Sequence, residues 1–128
     1  MPLYYCSVPR GSTSLEQRER IAAEITRIHC ATTGAPPLFV HAFFVEASER
    51  ELPPGKRAAV LGSIRAGRSP EQKRRIVSEI RGAIASITAN AEDAVQVATV
   101  DVPARWVMEG GEVLPEPGDE TAWLAQHA

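Results

Sequence analysis

Residues 14–25 read SLEQRERIAAEI, and residues 69–80 read SPEQKRRIVSEI. Seven of these twelve positions are identical at an offset of 55 residues. Each stretch opens with a serine suited to an N-cap. Each then carries Glu-Gln two and three residues later, the pattern of a capping box. Pro70 stands at the first helical position, where its missing N–H costs nothing. Helix-start grammar explains Ser-x-Glu-Gln. It does not explain the Arg-Ile and Glu-Ile that follow in register, so the chain reads as two copies of one unit.

The same offset aligns the flanks. LYYCSV (3–8) precedes the first helix and AAVLGSI (58–64) the second, while PLFVHAFFVE (37–46) and DAVQVATVDV (93–102) follow them. All four are apolar and rich in β-branched or aromatic residues, as strands are. The first helix is predicted over about 15–33, ending near Gly34 with Pro36 and Pro37 beyond it, and the second over about 70–88. Leu15, Ile21, Ile25 and Ile28 are expected on one helix face, packed on a sheet.

The expected fold is therefore of the α/β (α+β) class. It is a tandem β-α-β repeat giving a four-stranded mixed sheet with two helices on one face. Residues 1–128 form a single domain in this reading: unit one about 2–46, a polar, proline-rich linker about 47–56, unit two about 57–102, and a tail 103–128. In the tail, Gly110-Gly111 and the prolines around it suggest a turn or short hairpin. The strand of Phe39, Val40, Ala42, Phe43, Phe44 and Val45 is almost continuously apolar, as strands buried on both faces are. A single chain leaves one sheet face uncovered, so a symmetric oligomer is expected.

Composition narrows the function classes. The chain has 128 residues, is 44% hydrophobic and 23% charged, and carries a formal net charge of -2. That balance gives no reason to expect nucleic acid or an anionic membrane as partner. No apolar run nears the roughly 20 residues of a membrane span, and no signal-peptide pattern is seen, so the protein reads as cytoplasmic. Cys6 and Cys30 form no CxxC pair and, with three scattered histidines, no zinc pattern. Both cysteines are read as small core residues.

A few residues carry possible chemistry. Pro2 stands at the start of a strand, which strands tolerate. If Met1 is trimmed, as methionine before a small residue normally is, Pro2 becomes an N-terminal secondary amine. An α-amino group titrates near 7.7–8.0, so both forms are accessible near neutrality, and burial or a nearby Arg favours the neutral base. Arg65 and Arg68 flank Gly67 ahead of the second helix, where planar guanidinium forks and the helix end suit a carboxylate. They align with Arg10 and Thr13 of the first unit. His29 shares a helix face with Ile25, a place more common for a satisfied core histidine. Glu109 precedes Gly110-Gly111, which lets its loop bend over a pocket. His41 and His127 receive no role.

Pro2, the doubled unit, and the segments IHCATTG (28–34), RAGRS (65–69) and VPARWVMEGGEVLPEPG (102–118) together resemble the tautomerase superfamily. The likeness is greatest to its cis-3-chloroacrylic acid dehalogenase branch, in which two units are fused. The resemblance implies a homotrimer with Pro2 as catalyst. It further implies that His29 is an active-site histidine, that Arg65 and Arg68 bind substrate, and that Glu109 activates water. It implies no metal or organic cofactor. The branch's fourth-strand tyrosine is replaced here by Ala98, and no tyrosine follows Tyr5. The expected activity is keto–enol tautomerisation of small 2-oxo or unsaturated carboxylic acids, with weak hydratase or cis-3-haloacrylate dehalogenase activity. The alternative is a non-catalytic ligand-binding or interaction module of the same fold.

Overall fold

Ser14 and Ser69 start the two long helices in the same way. In this computed structural model, which describes residues 1–127, each serine Oγ accepts from the backbone N–H of the glutamine three residues on. That glutamine's side chain accepts in return from the serine N–H. Both capping boxes are thus complete, and α1 (Leu15–Thr33) and α2 (Pro70–Thr88) each run 19 residues. The 55-residue offset also relates β1 (Leu3–Pro9) to β3 (Ala58–Arg65), and β2 (His41–Ala47) to β4 (Val95–Val102). It extends to the single 3₁₀ turns before β2 and β4, Pro37–Phe39 and Glu92–Ala94.

Each unit pairs its own strands in parallel, and β1 meets β3 antiparallel, giving the mixed order β2-β1-β3-β4. The period of two in the strands sends Tyr4, Cys6, Val8, Val60 and Ile64 to the helix side. There they join Ile21, Ile25 and Ile28 of α1 and Ile76, Ile80 and Ile84 of α2 in one core that runs through both units. Each fully buried isoleucine contributes about 1.5–3 kcal/mol of transfer free energy. On the other face Leu3, Tyr5, Phe43, Leu61 and Val100 are exposed, so the sheet face expected to lack cover lacks it.

The tail forms a two-stranded hairpin, β5 (Met108–Glu109) with β6 (Glu112–Val113). Both turn residues have positive φ, 59° at Gly110 and 83° at Gly111, a pairing that two consecutive glycines allow. A further helix, α3 (Glu120–Gln126), follows. The sequence reading did not foresee it, because a two-turn segment shows no resolvable periodicity.

Three local expectations are corrected. Leu15 is 65% exposed instead of lying on the core face. At about 100° per residue, a step of six positions from Leu15 to Ile21 turns far from the stripe that Ile21, Ile25 and Ile28 share. Pro37–Phe39 is a 3₁₀ turn, and β2 begins only at His41. Cys6 is buried, and burial pushes its thiol up to about 12, but Cys30 is only half-buried.

Candidate active site

The topology decides which residues can meet. Because β1 and β3 are antiparallel, the beginning of the first unit lies beside the end of the third strand, with Leu3 paired to Ser63. Continuing that register sets Pro2 across from Ile64 and Met1 across from Arg65. β2 starts at this end too, since His41 pairs with Leu3, and β4 finishes here with Val102 beside Arg65. Each helix runs opposite to the strand before it. The same end therefore receives the last turns of α1, with His29, and the loop into α2, with Arg68. Arg68 Nη1 donates to the Thr33 carbonyl at 3.3 Å and Gln72 Nε2 to the Thr32 carbonyl at 3.1 Å, tying the two units together.

Pro2 is buried, and its carbonyl accepts from the His41 N–H at 3.0 Å. The Met1 amino group donates to Oε1 of Glu109, and Nδ1 of His41 lies 3.6 Å from the same oxygen. Burial lowers the amine below its usual 8.0; Glu109 opposes this by hydrogen bond and charge, and the charge of Arg65 adds to the lowering. A cleft of about 600 Å³ opens here, lined by Met1, Leu3, His41, Trp106 and Glu109 among others. A second cleft of about 470 Å³ between α1 and α2 is lined by Arg20, Glu24, Arg27 and Glu79. It is a groove between solvated helix faces and holds none of the groups gathered at the strand ends.

His29 is 1% exposed, and its Nδ1 lies 2.8 Å from the Tyr4 hydroxyl. Burial, then the charges of Arg68 and Arg65, push its imidazole down to about 3, so it is neutral. The Tyr4 phenol has no other hydrogen-bond partner among the described residues. We therefore assign its proton to the bond with Nδ1, which puts the ring proton of His29 on Nε2. The equivalent position in the second unit is Ile84, equally buried. The two copies of the core thus differ here, with histidine in the first and isoleucine in the second.

The arginines are not alike. Arg65 is 2% exposed; its Nη1 donates to the Pro115 carbonyl at 2.7 Å and its Nη2 to Oε1 of Glu120 at 2.8 Å. Its guanidinium also lies 5.2 Å over the Phe39 ring. Arg68 Nη2 is 3.6 Å from the same Glu120 oxygen, too far for a hydrogen bond. Its Nε and Nη2 are buried with no hydrogen-bond partner.

The sequence matches, over residues 1–127, the family described as "Putative oxalocrotonate tautomerase enzyme". The chain belongs to the tautomerase superfamily. Among solved structures it is similar to N1, a member of the cis-3-chloroacrylic acid dehalogenase family, at 29% identity and a TM-score of 0.89, covering 97% of this chain and 91% of that one. It is also similar to native Ps01740, at 38% identity and a TM-score of 0.77, covering 84% of this chain and all of the other (100%). The F6 fused 4-OT, described as a wild type asymmetric trimer, shares the fold at 19% identity and a TM-score of 0.78, covering 95% of this chain and 98% of that one. None of the curated proteins matches. Membership of this superfamily supports a tautomerase-type enzyme.

Within this tautomerase chain, the N-terminus, Glu109, His29, Arg65 and Arg68 gather at one end of the sheet. The pair of arginines expected as a free clamp is half taken up by the chain itself, because Glu120 lies on Arg65. Ala98 is exposed in mid-β4, paired with Leu61. Sequence reasoning missed three neighbours. Tyr4 was legible from strand alternation, which turns it inward and Tyr5 outward. His41 was legible only as the first residue of a strand parallel to β1. Glu120 carried no signal, since no pattern in the tail links it to residues 55 positions earlier. Among the described residues, no cluster of His, Cys, Asp or Glu is placed to hold a metal, and no helix is long and apolar enough to cross a membrane.

Proposed function

We propose that, after removal of Met1, the chain is an amino-terminal-proline enzyme acting mainly as a keto–enol tautomerase on small 2-oxo or unsaturated carboxylic acids. The observation that carries this reading is the meeting, at one end of the sheet, of a half-buried N-terminus, a neutral histidine and an arginine with unpaired donors. The unpaired donor edge of Arg68, backed by the charge of Arg65, takes the substrate carboxylate. The neutral Pro2 nitrogen removes a proton from the carbon beside the carbonyl, and the resulting cation returns it to the enolate oxygen; ketonisation takes the proton from the enol hydroxyl and delivers it to that carbon. Nε2–H of His29 donates to the carbonyl oxygen as negative charge grows there. In a minor hydration route, Glu109 with His29 activates a water that adds to the β-carbon. Ala98 in place of the family tyrosine makes hydratase or cis-3-haloacrylate dehalogenase activity the weaker one.

The protein is read as a cytoplasmic homotrimer. The exposed apolar face bearing Leu3, Tyr5, Phe43 and Leu61 supports assembly. The alternative is a non-catalytic binding module, which retention of Met1 would favour. With Met1 in place the Pro2 nitrogen is an amide, and Glu109 engages the Met1 amine instead. Two measurements decide. Mass spectrometry of the native protein is expected to show loss of Met1. Ketonisation of enol phenylpyruvate is expected to fall at least about a hundredfold in Pro2→Ala. An intact Met1, or equal rates, removes Pro2 from the chemistry.

A further inference from the structure

The charges gathered around the arginines can be followed one at a time. Arg65 and Arg68 supply two cations. The Glu120 carboxylate neutralises one of them through its 2.8 Å bond to Arg65. Its other oxygen, Oε2, accepts from the Gly118 N–H at 2.8 Å, so the carboxylate is held from both sides. The amine is matched by Glu109, and His29 is neutral. One cation is left over. It belongs to Arg68, whose side chain is 6% exposed and whose Nε and Nη2 are the two buried nitrogens without a partner. An adjacent Nε–Nη2 edge presents two parallel donors, the geometry of a single carboxylate.

We propose that Glu120 is a specificity-determining residue. By taking the hydrogen bonds of Arg65 and offsetting one of the two guanidinium charges, it leaves the site one net positive charge and one free donor edge, on Arg68, so that the site accepts monocarboxylates and rejects dicarboxylates of similar size. The inference rests on the reading of Arg68 as the substrate carboxylate's partner. A first carboxylate on Arg68 satisfies both unpaired donors. A second one on the same small molecule finds no free cation, and it faces two fixed anions, Glu120 and Glu109. Like charges brought together at a binding site discriminate between partners. Arg65 in this account fastens the tail, through Pro115 and Glu120, and does not bind the substrate directly.

The test compares binding of acrylate, with one carboxylate, and fumarate, with two, by calorimetry near neutral pH. Wild-type protein is expected to bind acrylate more tightly than fumarate by about tenfold or more. Glu120→Gln keeps the shape and the Gly118 contact while removing the charge, and is expected to reduce that preference by about tenfold. The double variant Arg65→Gln/Glu120→Gln removes one charge of each sign. It is expected to restore the wild-type preference, and melting curves confirm folding of each variant. An unchanged preference in folded Glu120→Gln overturns the role of Glu120, as does a double variant that behaves like the single one. Arg68→Gln separates this failure from that of the underlying reading. If it leaves acrylate binding intact, the carboxylate site itself is wrong. If it abolishes acrylate binding while Glu120→Gln changes nothing, only the inference about Glu120 falls.

Discussion

The hydroxyl of Tyr4 and Nδ1 of His29, 2.8 Å apart, join the first strand to the first helix inside the buried layer. Their rings also meet edge to face, at 5.8 Å between centroids. Tyr4→Phe keeps the ring and deletes the bond. The expected cost is about 1–3 kcal/mol, the range for leaving a buried partner unsatisfied. Urea unfolding measures it. Nitrogen-15 shifts of the His29 ring are expected to show loss of the single Nε2–H tautomer.

Gly62 lies across from Tyr4 in the β1–β3 register. A Cβ there would come 2.5 Å from Cε1 and 2.8 Å from Cδ1 of the Tyr4 ring. Gly62→Ala must therefore push the ring aside, in a core where overpacking costs about 1–3 kcal/mol. The variant is expected to be destabilised to that extent and to weaken the Tyr4–His29 bond. Wild-type stability in Gly62→Ala would contradict the packing described.

The neutral His29 makes stability depend on pH. Its folded titration near 3 lies below the ordinary 6.5 of an unfolded histidine. As pH falls below 6.5 the unfolded chain takes up the proton first. Stability present above 6.5 is then lost progressively down to about 3, by at most about 5 kcal/mol. His29→Ile, which copies Ile84 of the second unit, is expected to flatten that part of the curve of urea midpoint against pH.

Glu109 raises the pKa of the Met1 amine, by hydrogen bond and by charge, against the lowering by burial, and the proposed mechanism sets the Pro2 amine in the same charge field. Removing that charge leaves burial and Arg65 unopposed. In the processed protein, Glu109→Gln is expected to move the acid limb of kcat/KM for tautomerisation to lower pH by about one unit. The direction follows because the amine acts in its neutral form. A shift to higher pH would be incompatible with the pairing.

Ala89 ends α2 in the left-handed conformation, with φ 55° and ψ 40°. Gly34 takes the equivalent place after α1, with φ 77°. An alanine there bears strain that glycine does not. Ala89→Gly is expected to stabilise the protein by about 1 kcal/mol, read as a rise in the urea midpoint, whereas Gly34→Ala is expected to lower it by a similar amount.

Each unit could be read from its own residues. Ser14-x-x-Gln17 and Ser69-x-x-Gln72 set the helix starts to the residue, because a capping box is a local hydrogen-bond pattern. The inward faces of LYYCSV and AAVLGSI were legible too, although the sequence reading did not assign them, because strand side chains repeat every two residues. The single site residues were harder. Pro2, His29, Arg65, Arg68 and Glu109 stood out by residue type and by resemblance, and nothing in their spacing said that they would meet. Leu15 misled, since an apolar residue at the first turn of a helix resembles a core position until the angle is counted.

The 128 residues therefore determined by themselves two β-α-β units, the starts of both long helices and the isoleucine stripe of the first, since these depend on contacts a few positions apart. Only the tertiary structure decided that β1 would lie antiparallel to β3. That one orientation brings the amino terminus to the loop of Arg65 and Arg68, where parallel pairing would have sent them to opposite ends of the sheet. It also decided that Glu120, 55 residues beyond Arg65, would take up one guanidinium and leave the other unpaired. Charge pairing between distant segments depends on how whole elements pack, and no local pattern in the chain encodes it.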